Sequence, residues 1–216
     1  MEGGRKELIM ADKMIISIGR QCGSGGHEIG KKLAEHYGIN FYDKEIIQML
    51  AEKTNQEPEE LAKVEEKVTG HFFHKEGGFA ASQDLMGKMT KSDQMYLQEK
   101  ALIESLAEKE SFVVVGRGAN GILANDPNTL HIHVFADEAF KAPRVMEQYG
   151  LSDEKEAMKK MAAVDKARRD YFNFYSGNAW GSTDTHDVMI NSGVFGIDGT
   201  VDIIINIADR KFGKEN

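Results

Sequence analysis

Residues 14–28 read MIISIGRQCGSGGHE, and the fold turns on this stretch. Its opening, MIISI at 14–18, is a short β-branched apolar run, which predicts a buried strand ending at Gly19. Four glycines fall at 19, 23, 25 and 26. From Glu28 the pattern changes: Ile29, Leu33, Ala34 and Tyr37 recur at helical spacing, and Gly38 supplies a stop. A strand therefore runs into a glycine-rich loop and a helix runs out of it. Glycine lets the backbone turn tightly and aim N–H groups inward, and a helix N-terminus carries partial positive charge. Together they favour an anion, so Gly19, Arg20, Gln21, Gly23, Ser24, Gly25, Gly26, His27 and Glu28 are expected to hold a nucleotide phosphate. A bare strand–helix turn without a ligand is the alternative, and the density of glycines weighs against it.

The loop departs from the phosphate-binding pattern G-x-x-x-x-G-K-[ST]. With Gly25 as the glycine before the usual lysine, Gly26 replaces that lysine, and Glu28 is expected where a magnesium-binding hydroxyl would lie. The missing ammonium removes a charge from the β/γ-phosphates. Arg20, His27 and Lys31 are the candidates to supply another.

Working outward, the same alternation continues. Strands are predicted at 39–42, 112–115 (FVVV), 130–135 (LHIHVF) and, more weakly, 188–190. Helices are predicted from Ile46, at 57–68, 93–109, 137–148 and 152–171. The segment 201–212 reads as a helix, but its run Ile203-Ile204-Ile205 suits a strand equally. Parallel strands need long crossovers, so strands separated by helices predict βαβ units. MIISI and FVVV lack alternation, as expected of strands covered on both faces. The expected architecture is a three-layer α/β fold.

With 216 residues, 41% of them hydrophobic, the chain suits one domain carrying an insertion. A net charge of −8 argues against a nucleic-acid or anionic-membrane partner. No run approaches the ~18 apolar residues of a membrane span, and the charged N-terminus lacks a signal-peptide core. The single cysteine, Cys22, rules out an internal disulfide, which fits a cytoplasmic compartment. Self-association into a homo-oligomer is left open.

In open parallel sheets ligands bind beyond the carboxyl ends of the strands. Asp43 and Lys44 follow the second strand, and Arg117 follows the third between Gly116 and Gly118. Asp43 would orient an acceptor hydroxyl or phosphate or hold a metal-bound water, cap the next helix, or do both. Lys44 is a phosphate contact or a solvated lysine. Arg117 can give bidentate bonds to an acceptor phosphate, with a structural ion pair as the alternative. Lys166, Arg168 and Arg169, in DKARRDY at 165–171, stand out in an acidic chain, though a charged helix face is the plainer reading. His71 and His74 lack a third ligand, so no metal site is expected of the protein itself. His131 and His133 read as packing or surface residues, Trp180 as lid packing, and Cys22 as a thiol whose pKa a helix start could depress.

ISIGRQCGSGGHEIGKKLAEHYGINFYDKEII resembles the opening of the cytidylate kinase-like family of P-loop proteins. FVVVGRGANGIL resembles its third strand and turn, and DKARRDYFNFYSGNAWG with HDVMINSG its lid and fifth strand. The resemblance spans about residues 13–212. It implies the P-loop NTPase kinase fold: five parallel strands with helices on both faces and a helical lid. It also implies nucleotide substrates and transfer from ATP, with Mg²⁺, to a nucleoside monophosphate such as CMP. It assigns Arg117 to the acceptor phosphate and makes Lys166 and Arg168, with Arg169 less favourably placed, the lid cations that close over the phosphoryl group. Lys141 and Arg144 lie where related kinases place basic residues, although Pro143 interrupts that helix. The expected organisation is a flexible tail at 1–13 and a kinase-like domain at 14–216, with an acceptor-binding, flexible insertion at 54–100 and a lid at 152–182. Within the insertion, 70–92 reads as a substrate flap or a surface loop. Because the lysine is absent, the alternatives are a regulatory nucleotide-binding protein with little turnover, or a kinase of another small metabolite.

Overall fold

A computed structural model describes residues 13–54 and 90–213. The predicted tail, apart from Lys13, lies outside the described residues, as do the predicted helix at 57–68, residues 70–89 of the predicted flap, His71 and His74.

The apolar run at the head of the chain is strand β1 (Ile15–Arg20), whose Ile15, Ile16 and Ile18 are fully buried. Around it β2 (Asn40–Tyr42), β3 (Phe112–Val115), β4 (Thr129–Phe135) and β5 (Val188–Asn191) form one parallel sheet in the order β2-β3-β1-β4-β5. Pairing places Ile15 opposite both Phe112 and Thr129, so β1 is central. Burial on both sides explains why its sequence shows no polar alternation.

The period-2 geometry of the strands sorts their side chains into two cores. Ile16, Ile18, Val113, Val115, Ile132 and Val134 point to one face. There they meet Ile29 and Leu33 of α1 (Gly26–Tyr37) and Val201, Ile204 and Phe212 of α7 (Ser192–Phe212). Ile15, Phe112 and Val114 point to the other, against α2 (Glu45–Thr54), α3 (Lys91–Ala107) and α4 (Ala119–Ile122). This is the expected three-layer α/β P-loop fold. A third cluster joins Cys22 to α5 (Glu138–Tyr149) and α6 (Glu154–Ser176).

One sequence ambiguity resolves, and one predicted boundary moves from 93 to 91. The run at 203–205 belongs to α7, which begins at Ser192 and bends at Gly196. Helix α3 starts at Lys91 because Thr90 and Asp93 form a reciprocal capping box. Among the described residues no helix is long and apolar enough to cross a membrane.

Candidate active site

The loop between β1 and α1 keeps its shape through bonds that leave its inner N–H groups over. Gln21 N–H donates to the Val134 carbonyl, Ser24 N–H to the Gln21 carbonyl, and Cys22 N–H to Asp165 Oδ1 of α6 at 2.7 Å. The Ser24 hydroxyl donates to the carbonyls of Gln21 and Val134, and Ser192 at the head of α7 donates to the Ser24 carbonyl. Gly23 and Gly25 both adopt φ 80, a left-handed conformation that glycine adopts without strain. Among the described residues no protein acceptor meets the N–H groups of Gly23, Gly25, Gly26, His27 or Glu28. They open on a cleft of ≈ 990 Å³ lined by the loop, Asp43, Lys44 and the end of α5.

Asp43, at the end of β2, faces Arg20 at the end of β1, Arg117 after β3 and His27 on α1. Its Oδ2 lies 2.7 Å from His27 Nδ1, and its Oδ1 lies 3.7 Å from Arg20 Nη2 and 3.9 Å from Arg117 Nη2. Burial alone would raise its pKa, but Arg20, the His27 hydrogen bond and Arg117 outweigh burial and hold it below the usual carboxylate range. The cap reading is corrected: the carboxylate faces these cations, while the first turn of α2 bonds to the Lys44 carbonyl. Lys44 is exposed at the rim of the cleft.

Arg117 lies deeper, with its side chain 7% exposed. Its φ of 57 is the one left-handed non-glycine value among the described residues, flanked by Gly116 at 76 and Gly118 at 64. Such a residue costs of order 1–3 kcal/mol and persists where its surroundings hold it. Here Arg117 Nε donates to the Asp43 carbonyl at 3.0 Å, and Nη1 lies 3.5 Å from Glu99 Oε1. Glu99, 2% exposed, also accepts from the Tyr171 hydroxyl at 2.8 Å. Burial, with Glu99 beside it, raises the Tyr171 pKa well beyond the ordinary range.

Behind Arg117 a cavity of ≈ 220 Å³ lies between α3, α6 and the end of β3. Tyr96, Tyr171, Phe172 and Trp180 line it, with Glu99, Asn120 and His186 as polar groups. Tyr96 stacks on Tyr175 at 4.1 Å and meets Tyr171 edge-on. Trp180 packs against His133 on β4 and carries Arg169 over its ring. Burial lowers His133 to a pKa of about 4, and His131 is lowered for the same reason, so both are buried packing residues. Arg20, Arg117 and Arg168 line both the cleft and this cavity, forming the wall between them.

The structure separates the remaining predicted residues. Of the basic cluster on α6, Arg168 reaches the wall, donating to the Arg20 carbonyl at 3.2 Å beside Asp165. Lys166 pairs with Asp170 along the helix, and Arg169 stands on Trp180; neither lines the cleft or the cavity. Gln21 lines the cleft, its Oε1 accepting from Lys141 Nζ at 2.9 Å. Glu28 is corrected: His27 directly follows Gly26 and takes the hydroxyl's place in the pattern, while Glu28 pairs with Arg144 at 2.9 Å. Pro143 does not stop α5, so Lys141 and Arg144 both reach the loop. The helix start does not depress the Cys22 thiol: Cys22 is 3% exposed among Ala142, Val145, Ala157 and Met161, and burial raises its pKa. Sequence reasoning missed Glu99, although its place on the buried stripe Met95, Glu99, Leu102, Ile103, Leu106 was a readable signal.

Residues 15–194 match the profile of the cytidylate kinase-like family. The chain is 26% identical over 194 residues to a cytidylate kinase of Pyrococcus horikoshii, covering 89% of this chain and 87% of that one. A crystal structure of an uncharacterised protein from Eubacterium ventriosum superposes with a TM-score of 0.66 at 34% identity, over 91% of this chain and 99% of that one. A shikimate kinase from Bacteroides thetaiotaomicron shares the fold at a TM-score of 0.53 and 12% identity, over 91% and 98% of the two chains.

Proposed function

The chain belongs to the cytidylate kinase-like family, and we propose that it transfers the γ-phosphoryl group of ATP to a nucleoside monophosphate of the CMP type. The observation that carries this reading is the arginine wall shared by the loop cleft and the aromatic cavity. A triphosphate on the loop and a monophosphate whose base enters the aromatic cavity would meet at that wall. The N–H groups of Gly23, Gly25, Gly26, His27 and Glu28 would hold the donor phosphates, with Lys44 at the rim. Arg117, rooted at a strand end, would hold the acceptor phosphate, and Arg168 would reach the moving group from α6. Lys166 and Arg169 line neither space and are left out of this contact set.

An oxygen of the acceptor phosphate attacks the γ-phosphorus, the bond from that phosphorus to the bridging oxygen breaks, and ADP leaves with the electron pair. A dianionic acceptor needs no base, so the work is positioning and charge neutralisation. Among the described residues no group of three His, Cys, Asp or Glu is placed to hold a metal. Asp43 is hemmed by cations and ill suited to be a metal ligand. Magnesium would therefore be held by ATP phosphates and water, where it neutralises their charge.

The test is ADP release from ATP–Mg²⁺ against a panel of nucleoside monophosphates and small hydroxylated metabolites. The expected result is release with a pyrimidine monophosphate. Release with a hydroxylated metabolite alone would make the protein a metabolite kinase. Measurable ATP binding with no release for any acceptor would make it a regulatory nucleotide-binding protein.

A further inference from the structure

The loop lacks its lysine, yet the cleft keeps a cation, Arg20, whose stem lies against the position the lysine would occupy. We propose that Arg20 takes the lysine's part and contacts the transferred phosphoryl group, having exchanged places with a glycine inside the motif. This rests on the kinase reading above and names the group that completes its phosphate site.

Counting back from Gly25, the first glycine of G-x-x-x-x-G-K falls at position 20 and the lysine at position 26. The chain has Arg20 at the first and Gly26 at the second. The two positions touch in space. A Cβ at residue 26 would lie 2.6 Å from Arg20 Cβ and 2.9 Å from Arg20 Cγ, closer than real Cβ contacts allow. A side chain at 26 therefore cannot be added beside Arg20 without a shift, so the two positions share one volume. The usual motif fills that volume from the helix side; this chain fills it from the strand side.

A second glycine clears the far end. A Cβ at Gly116 would lie 1.9 Å from Arg20 Nη1 and 2.8 Å from Cζ. Gly26 thus accommodates the stem of Arg20 and Gly116 its head. The head lies between the loop and the acceptor residues, on the wall between cleft and cavity, with 19% of the side chain exposed. Its planar fork of donors matches phosphate oxygens. The other candidates are worse placed. Lys31 is exposed and lines neither space, His27 holds Asp43 at 2.7 Å where Arg20 stands off at 3.7 Å, and Lys141 is bonded to Gln21.

The experiment compares the wild type with Arg20→Met, Arg20→Gly, Gly26→Lys and the double variant Arg20→Gly/Gly26→Lys. ATP and ADP affinities are read by calorimetry, turnover by ADP release and folding by thermal melting. Arg20→Met keeps the stem and removes the charge. It is expected to melt near wild type, to weaken ATP at least tenfold and ADP less, and to lower turnover at least 100-fold. Gly26→Lys alone should lose both stability and turnover, and the double variant should turn over at least tenfold faster than either of its single changes. Wild-type ATP affinity in Arg20→Met overturns the proposal, as do equal losses for ATP and ADP with a lowered melting point, which would mark Arg20 as structural. A folded double variant no better than Arg20→Gly also overturns it. If the wild type releases no ADP with any acceptor, the kinase reading falls, and the ATP and ADP affinities still decide the role of Arg20.

Discussion

Replacing Asp43 by asparagine should destabilise the protein while making its site more receptive to phosphate. The carboxylate is buried between Arg20 at 3.7 Å and Arg117 at 3.9 Å, with His27 at 2.7 Å. At an effective dielectric constant of about 20, each arginine contact is worth ~4 kcal/mol of gross attraction. Desolvation of the carboxylate offsets much of that. Removing one partner of a buried pair costs about 3–5 kcal/mol, since the remaining charge stays behind. The low end, about 3 kcal/mol, applies here because Arg117 keeps Glu99 and Arg20 is partly exposed. For a chain of this size that is a fall in Tm of about 6–12 °C. Inorganic phosphate can replace the lost charge, so millimolar phosphate should recover more Tm in Asp43→Asn than in the wild type. The folded pKa of Asp43 is depressed, so its contribution is present above the unfolded value of about 3.9 and is lost as pH falls through the folded value. The gap between the two proteins should therefore narrow as pH is taken below about 4. Thermal unfolding at pH 7, with and without phosphate, is the assay. A Tm change under about 2 °C with an unchanged phosphate response would refute the charge-cluster argument.

Arg117→Ala should chiefly raise the acceptor KM, because a rigid strand-end contact acts in ground and transition states alike, whereas Arg168→Ala should chiefly lower kcat, by about 10³-fold if it meets the moving phosphoryl group. Steady-state kinetics at saturating ATP separates them; an unchanged kcat in Arg168→Ala would leave that arginine as an ordinary helix-face charge. Arg117→Gly should be more stable than Arg117→Ala by about 1 kcal/mol in urea unfolding, since both lose the guanidinium but only glycine relieves the positive φ. His133 is held neutral at a folded pKa of about 4, while the unfolded chain takes up its proton near 6.5. Acidification from pH 6.5 towards 4 should then remove about 3 kcal/mol that His133→Gln would not lose, measured by urea unfolding across that range.

The strand–loop–helix at 14–38 was legible because local rules agree there: β-branched run, glycines, helical spacing, stop. The sheet followed from βαβ alternation, and Asp43 and Arg117 from their places at strand ends. Tertiary contacts decided the rest. Spacing could not separate Arg168 from Lys166, because the ion pair with Asp170 and the approach of α6 to the loop are long-range or side-chain facts. Cys22 sat at a helix start, where a low pKa is plausible, but α5 and α6 bury it in apolar contacts that a local reading does not see. The reach of Arg20 was hidden for the same reason. It depends on the absence of two β-carbons, at Gly26 and at Gly116, 90 residues apart in the chain.

Phosphoryl transfer between two nucleotides, at a loop that carries no lysine, can be observed directly. Phosphorus NMR of the protein with ATP, Mg²⁺ and CMP observes that transfer without coupling enzymes. CDP and ADP resonances should grow together, in equal amounts, and only when protein and acceptor are both present. ATP signals that shift on binding while neither diphosphate appears, with CMP or with any other nucleoside monophosphate, would contradict that transfer.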